Sequence, residues 1–168
     1  MNVTSSEANK ELRRYKDELS RLQAMERQSA TFTVATTENA PDARPEYDFV
    51  ETQAKIDAIQ QKVRTIKHAI NEFNVTHCPE GFDMTVDEML VYIPQLTAAK
   101  SKYKEMVTRM PKKRKDSGYS RSSLIEYEYT NYSIEAAQAF LDEVTAELTT
   151  AQLALDRLNT TVKFEIDI

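Results

Sequence analysis

Two histidines and one cysteine are the only imidazole and thiol side chains in these 168 residues. His68 and Glu72 lie four apart, a spacing that puts both on one face of a helix and can hold a metal ion. His77 follows a few residues on. It sits directly beside Cys78, so their side chains diverge rather than form a nucleophile–base dyad. His68, Glu72 and His77 are therefore the metal candidates, against the simpler reading of a solvated helix residue and a loop histidine. A histidine-rich site would need ligands from several subunits. One cysteine excludes an intrachain disulfide and a cysteine-based zinc cage. Two glycines, Gly81 and Gly118, cannot write a Walker loop or a dinucleotide fingerprint.

The basic run is the second chemical feature. Residues 100–121 carry nine basic and two acidic side chains, a net of +7, whereas residues 122–168 carry two basic and nine acidic, a net of -7. Lys112, Lys113, Arg114, Lys115 and Arg121 could hold phosphates, with Tyr119 available for stacking. Lys112 to Lys115 also fits a nuclear import pattern. The competing reading is charge complementarity, a basic third helix and loop lying near an acidic fourth helix of the same chain or a neighbour. Equal and opposite charge in adjacent segments favours that reading. The net charge of -5 speaks against nucleic-acid binding by the molecule as a whole.

Glu126 and Glu128 would share one face of a strand, and paired carboxylates can do acid–base work. The alternation with Ile125, Tyr127 and Tyr129 already explains them as a solvent face. Four Asn-x-Ser/Thr sites occur, at Asn2, Asn74, Asn131 and Asn159. Three fall at expected helix boundaries, where asparagine caps and turns account for them. No residue set defines a reaction class. The expectation is no catalytic residue, no cofactor and, more simply, no enzyme.

The elements that must position these residues are mainly helical. A capping box, Thr4 with Glu7, opens a first helix with Leu12, Tyr15, Leu19 and Leu22 on one stripe. Thr31–Thr36 alternates and is β-branched, so it reads as a short strand. A second helix is expected from near Pro45 to about Asn74. Its Ile56, Ile59, Val63, Ile66, Ile70 and Phe73 form an unbroken 3-4 seam. Thr85 with Glu88 caps a third helix, with Met84 able to staple onto Met89. Its Met89, Ile93, Leu96, Tyr103, Met106 and Met110 mark a buried face, a kink is expected at Pro94, and the helix should stop at Pro111. An exposed basic loop follows, then a half-buried strand over Leu124–Thr130. Ser133 caps a fourth helix whose Ala137, Leu141, Val144, Leu148, Ala151, Leu155 and Leu158 make the cleanest seam. Thr161–Ile166 reads as a last strand.

These patterns predict one helical domain over residues 1–168. It is either a four-helix antiparallel bundle or paired helical hairpins with coiled-coil-like seams, plus two or three short strands. A weak internal repeat relates about 5–76 to 85–161, its ends matching best: Ile70-Asn71-Glu72-Phe73-Asn74-Val75-Thr76 against Leu155-Asp156-Arg157-Leu158-Asn159-Thr160-Thr161. Apolar seams must be buried, so the chain is expected to bury them internally or against further copies of itself. No apolar run reaches the roughly 18 residues that span a bilayer, and the first residues lack the pattern of a signal peptide. A cytoplasmic protein is expected.

The same helix end at Ile70–Thr76, the opening Met84-Thr85-Val86-Asp87-Glu88-Met89-Leu90, the segment Gly118-Tyr119-Ser120-Arg121-Ser122-Ser123-Leu124-Ile125 and the closing Leu158-Asn159-Thr160-Thr161 carry a resemblance. Over most of its length from about residue 5 the chain resembles the septicolysin-like family of small bacterial proteins, which is largely uncharacterised. The resemblance implies a helical, self-associating fold. The family name implies a membrane-active, cytolysin-like protein. Pro94 and the Lys112–Lys115 run depart from the family pattern.

The leading expectation is thus a non-enzymatic helical homo-oligomer acting as a scaffold or interaction module. The alternatives are a membrane-active protein and a binder of nucleic acid or another polyanion.

Overall fold

The computed structural model describes residues 1–37, 39–115 and 125–168. Four long helices dominate: α1 (Ser5–Ser29), α3 (Phe49–Thr76), α4 (Val86–Thr108) and α5 (Ile134–Thr161), with a single turn α2 (Ala40–Ala43) between the first two. Among the described residues four three-residue strands accompany them: β1 (Asn2–Thr4), β2 (Lys112–Arg114), β3 (Tyr127–Tyr129) and β4 (Lys163–Glu165). β1 pairs antiparallel with β4, and β2 with β3. The chain divides into two compact units: Met1–His77 with Arg157–Ile168, and Cys78–Asp156.

In the first unit α1 opens on the expected capping box. The Glu7 carboxylate accepts from the Thr4 amide at 2.8 Å, and the Thr4 hydroxyl accepts from the Glu7 amide at 3.3 Å. Two orphan donors of the first turn are thereby satisfied. α3 is capped by Asp48, whose carboxylate accepts from the Glu51 amide at 2.9 Å. The two helices run antiparallel. Glu26, late in α1, accepts from the Tyr47 hydroxyl at 3.0 Å and from Gln53 early in α3. Further along, the Lys62 ammonium lies 5.2 Å from the centre of the Tyr15 ring. Leu12, Tyr15 and Leu22 pack with Ile56, Ile59, Ile66 and Ile70, and Leu19 and Val63 lie partly buried against them. Both seams are therefore buried within the chain, each side chain contributing about 1.5–3 kcal/mol. The Phe73 ring is stacked against His77 at 4.2 Å and lies 4.7 Å from Phe164 of β4.

The second unit repeats the logic. Thr85 and Glu88 close the other capping box, with the Glu88 carboxylate 2.7 Å from the Thr85 amide. Gly81, in the turn ahead of it, has φ of +84°, a conformation open to glycine and strained for other residues. Met84 packs on the cluster that Met89 and Leu96 of α4 form with Val144, Leu148 and Ala151 of α5. α4 and α5 are antiparallel: Tyr92 donates to Glu147 at 2.8 Å, Tyr103 stacks on Phe140 at 5.6 Å, and Tyr132 donates to the Met106 carbonyl at 2.8 Å. Ser133 caps α5, its hydroxyl accepting from the Ala136 amide at 3.1 Å. Ala137, Val144, Leu148, Ala151 and Leu155 are all buried, as is Leu158 in the end of α5 that belongs to the first unit.

The fold is mainly helical with short antiparallel strands, as expected, and several details differ. Thr31–Thr36 forms no strand; it is largely exposed, and β-branched composition without a buried face does not by itself hold a strand. α3 begins at Phe49 rather than near Pro45, because the Asp48 carboxylate is the cap, and it continues to Thr76. α4 ends at Thr108, two residues before Met110, which is 69% exposed and outside the core. The helix continues through Pro94. The expected basic loop starts as strand β2, and its partner β3 is exposed rather than half-buried. Leu124 and Gly118 lie outside the described residues.

Candidate functional site

The antiparallel pairing of β2 with β3 sets the geometry of the basic run. Lys112 faces Tyr129, Lys113 faces Glu128, and Arg114 faces Tyr127. The Lys115 amide donates to the Glu126 carbonyl at 3.0 Å, which extends the register by one pair. At the base of the hairpin the Thr130 amide donates to the Pro111 carbonyl at 3.2 Å.

Residues opposite one another in a ladder project from the same face, and neighbours along a strand from opposite faces. One face therefore carries Lys113, Lys115, Glu126 and Glu128. It is charge-balanced, and the Lys115 ammonium lies 3.5 Å from the Glu126 carboxylate. The other face carries Lys112, Arg114, Tyr127 and Tyr129. Among the described residues it holds two cations and no carboxylate. The Lys112 ammonium sits 4.2 Å from the centre of the Tyr127 ring and 5.4 Å from that of Tyr129. Such exposed cation–π contacts are worth about 0.5–1 kcal/mol and order the cation over the rings. Tyr127 and Tyr129 are 47% and 61% exposed, with ring centres 6.5 Å apart.

A groove runs from this hairpin to the end of α4, bordered by Arg109, Lys113, Glu128, Tyr129 and Tyr132. Arg109 is engaged there: it bonds Glu105 at 2.5 Å, and that bond holds its guanidinium above the ordinary arginine range.

The other sequence candidates are dispersed. His68 and Glu72 are exposed on α3. The His77 ring is stacked on Phe73, with Nδ1 3.0 Å from the Phe73 carbonyl and 2.9 Å from the Thr76 hydroxyl. Among the described residues no three metal-ligating side chains gather. Tyr119 and Arg121 lie outside the described residues. The anticipated charge complementarity has a local form: Lys115 meets Glu126, and Lys100 and Lys104 line a shallow hollow with Asp142 of α5. Sequence reasoning missed Tyr127 and Tyr129 as partners of the cations, having placed them on a half-buried face. No local signal could have found them, because Lys112–Lys115 is an unbroken cationic run and only the register of β2 against β3 decides which cation faces which ring.

No family model matches the chain, and no curated protein matches it. Among solved structures it is similar to a functionally unknown conserved protein from Corynebacterium diphtheriae. The two share 15% identity with a TM-score of 0.60, over 98% of this chain and 100% of the other. The likeness shows a common fold and nothing of activity. Among the described residues no helix is long and apolar enough to cross a membrane.

Proposed function

We propose that this chain is a non-enzymatic helical interaction protein that self-associates through the outward face of α4. The observation that carries the reading is that α4 is apolar on two sides. Met89 and Leu96 are buried against α5, whereas Leu90 and Val91 are 50% and 59% exposed. With exposed Pro94 and Ala98, they make a second stripe at helical spacing. Contiguous apolar surface of this kind marks contact sites, and a second copy offers the same stripe in a twofold pairing. A cytoplasmic setting and septicolysin-like kinship belong to the same proposal, the latter resting on the segments quoted above. Sedimentation at micromolar concentration is expected to show an oligomer that Leu90→Glu with Val91→Glu converts to monomer. A wild-type monomer at that concentration removes the reading.

The β2–β3 hairpin favours a second reading, a binder of polyanions. It differs from the sequence expectation in its residues: Lys112 and Arg114 act from one face, whereas Lys113 and Lys115 face carboxylates across the ladder. Heparin binding that weakens steeply with salt is expected.

A further inference from the structure

The polyanion reading leaves open what the tyrosines are for. Two cations alone suffice to attract phosphate, sulfate or carboxylate. Here each cation is paired across the ladder with an exposed phenol ring, and the Lys112 ammonium contacts both rings. Exposed aromatic rings beside backbone-tracking cations are the composition of sites that hold unpaired bases. The charge follows the phosphodiester chain, and the π-faces receive the bases without regard to sequence. Lys112 and Arg114 are two residues apart on one strand, so their stems are spaced by roughly 6.6 Å, suited to successive phosphates of a stretched single strand. The carboxylates that would repel such a chain, Glu126 and Glu128, project from the opposite face.

We propose that Lys112, Arg114, Tyr127 and Tyr129 form a stacking platform for single-stranded nucleic acid. The proposal rests on the polyanion reading of the hairpin and adds the identity of the ligand. The platform is small, spanning one or two nucleotides. Its affinity is therefore modest, and its salt dependence shallow. Two neutralised phosphates give a slope of log K against log salt near about -1.4, at roughly 0.7 per phosphate.

The test uses the full chain with a labelled oligothymidylate, heparin and vesicles containing anionic lipid, all at low salt. The expected result is oligothymidylate binding with that slope, weakened roughly 5- to 100-fold by Tyr127→Ala or Tyr129→Ala and restored by Tyr127→Phe. Lys112→Glu with Arg114→Glu abolishes it, and Lys115→Ala on the balanced face leaves it intact. Heparin binding lost with the cations but indifferent to the tyrosines accompanies this result. If oligothymidylate and heparin both bind and neither responds to the tyrosine variants, the stacking platform is overturned while the polyanion reading stands. Binding to vesicles alone also overturns the platform. Binding to none of the three overturns both.

Discussion

Ile66 has no accessible surface and sits at the middle of the α1–α3 seam. Removing most of its side chain loses the transfer energy and leaves a cavity between two long helices that cannot collapse locally. Ile66→Ala is expected to cost about 2–5 kcal/mol in urea denaturation. Leu153→Ala, at a position 65% exposed, is expected to stay within about 0.5 kcal/mol. Equal effects at the two positions would contradict the burial described. The capping glutamates give a pH signature. Bonds from the Thr85 backbone and hydroxyl hold the Glu88 carboxyl below the usual range, and those from Thr4 do the same for Glu7, aided by Lys163 and Lys10. Their folded values lie below the unfolded one, near about 4.3. The stability they supply is therefore complete above that value and lost as pH falls through the lowered one. Glu7→Gln with Glu88→Gln is expected to flatten the acid limb of the stability profile in that window. An unchanged acid limb counts against this origin. At this scale the sequence was highly informative, because a capping box is contained in four consecutive residues. The platform tyrosines were not legible, since what faces Tyr127 is decided by Arg114, thirteen positions away.

Helices were legible and strands only in part, β3 and β4 but not β1 or β2, for a physical reason. A seam such as Ile56–Phe73 states its own periodicity, and two such seams satisfy each other wherever they meet. A three-residue strand exists only through its partner. β1 and β4 are linked across nearly the whole chain, and β2 is a run of cations that no β-propensity scale favours. Thr31–Thr36 shows the converse, good strand composition on a largely exposed segment that forms no strand. α4 is the element where a local rule and the fold conflict. Pro94 lies in its interior and lacks the amide that would bond the Leu90 carbonyl. The side chain is exposed, so Pro94→Ala restores a donor without disturbing the core. It is expected to raise stability by about 1–3 kcal/mol, read as a higher Tm. A lower Tm would show that the helix path imposed by the proline is needed for packing Met89 and Leu96.

Each unit is built on an antiparallel pair opened by a capping box, Thr4/Glu7 or Thr85/Glu88, with a 28-residue helix as its second member, α3 or α5, the end of α5 from Arg157 belonging to the first unit. One boundary between the units, after His77, falls between the two segments of the weak sequence repeat, and the other, after Asp156, falls inside the second segment. The strands break that symmetry. β2 and β3 lie between the helices of the second pair, whereas β4 returns to β1 and completes the first unit. That return buries Ile166 to 1% exposure and places Phe164 against Phe73. The Ile166 amide donates to the Met1 carbonyl at 2.8 Å, and the Met1 amino group donates back to the Ile166 carbonyl. The Ile166 amide is tied to a buried side chain, so its opening requires displacing Ile166 from the first unit's core. Hydrogen exchange is expected to show the Ile166 amide protected well above its neighbours Asp167 and Ile168. Ile166→Ala should reduce that protection and destabilise the first unit by about 2–5 kcal/mol. Free exchange at Ile166 in the wild type would mean that β4 is not a working part of the fold, and that the α1–α3 pair holds together without it.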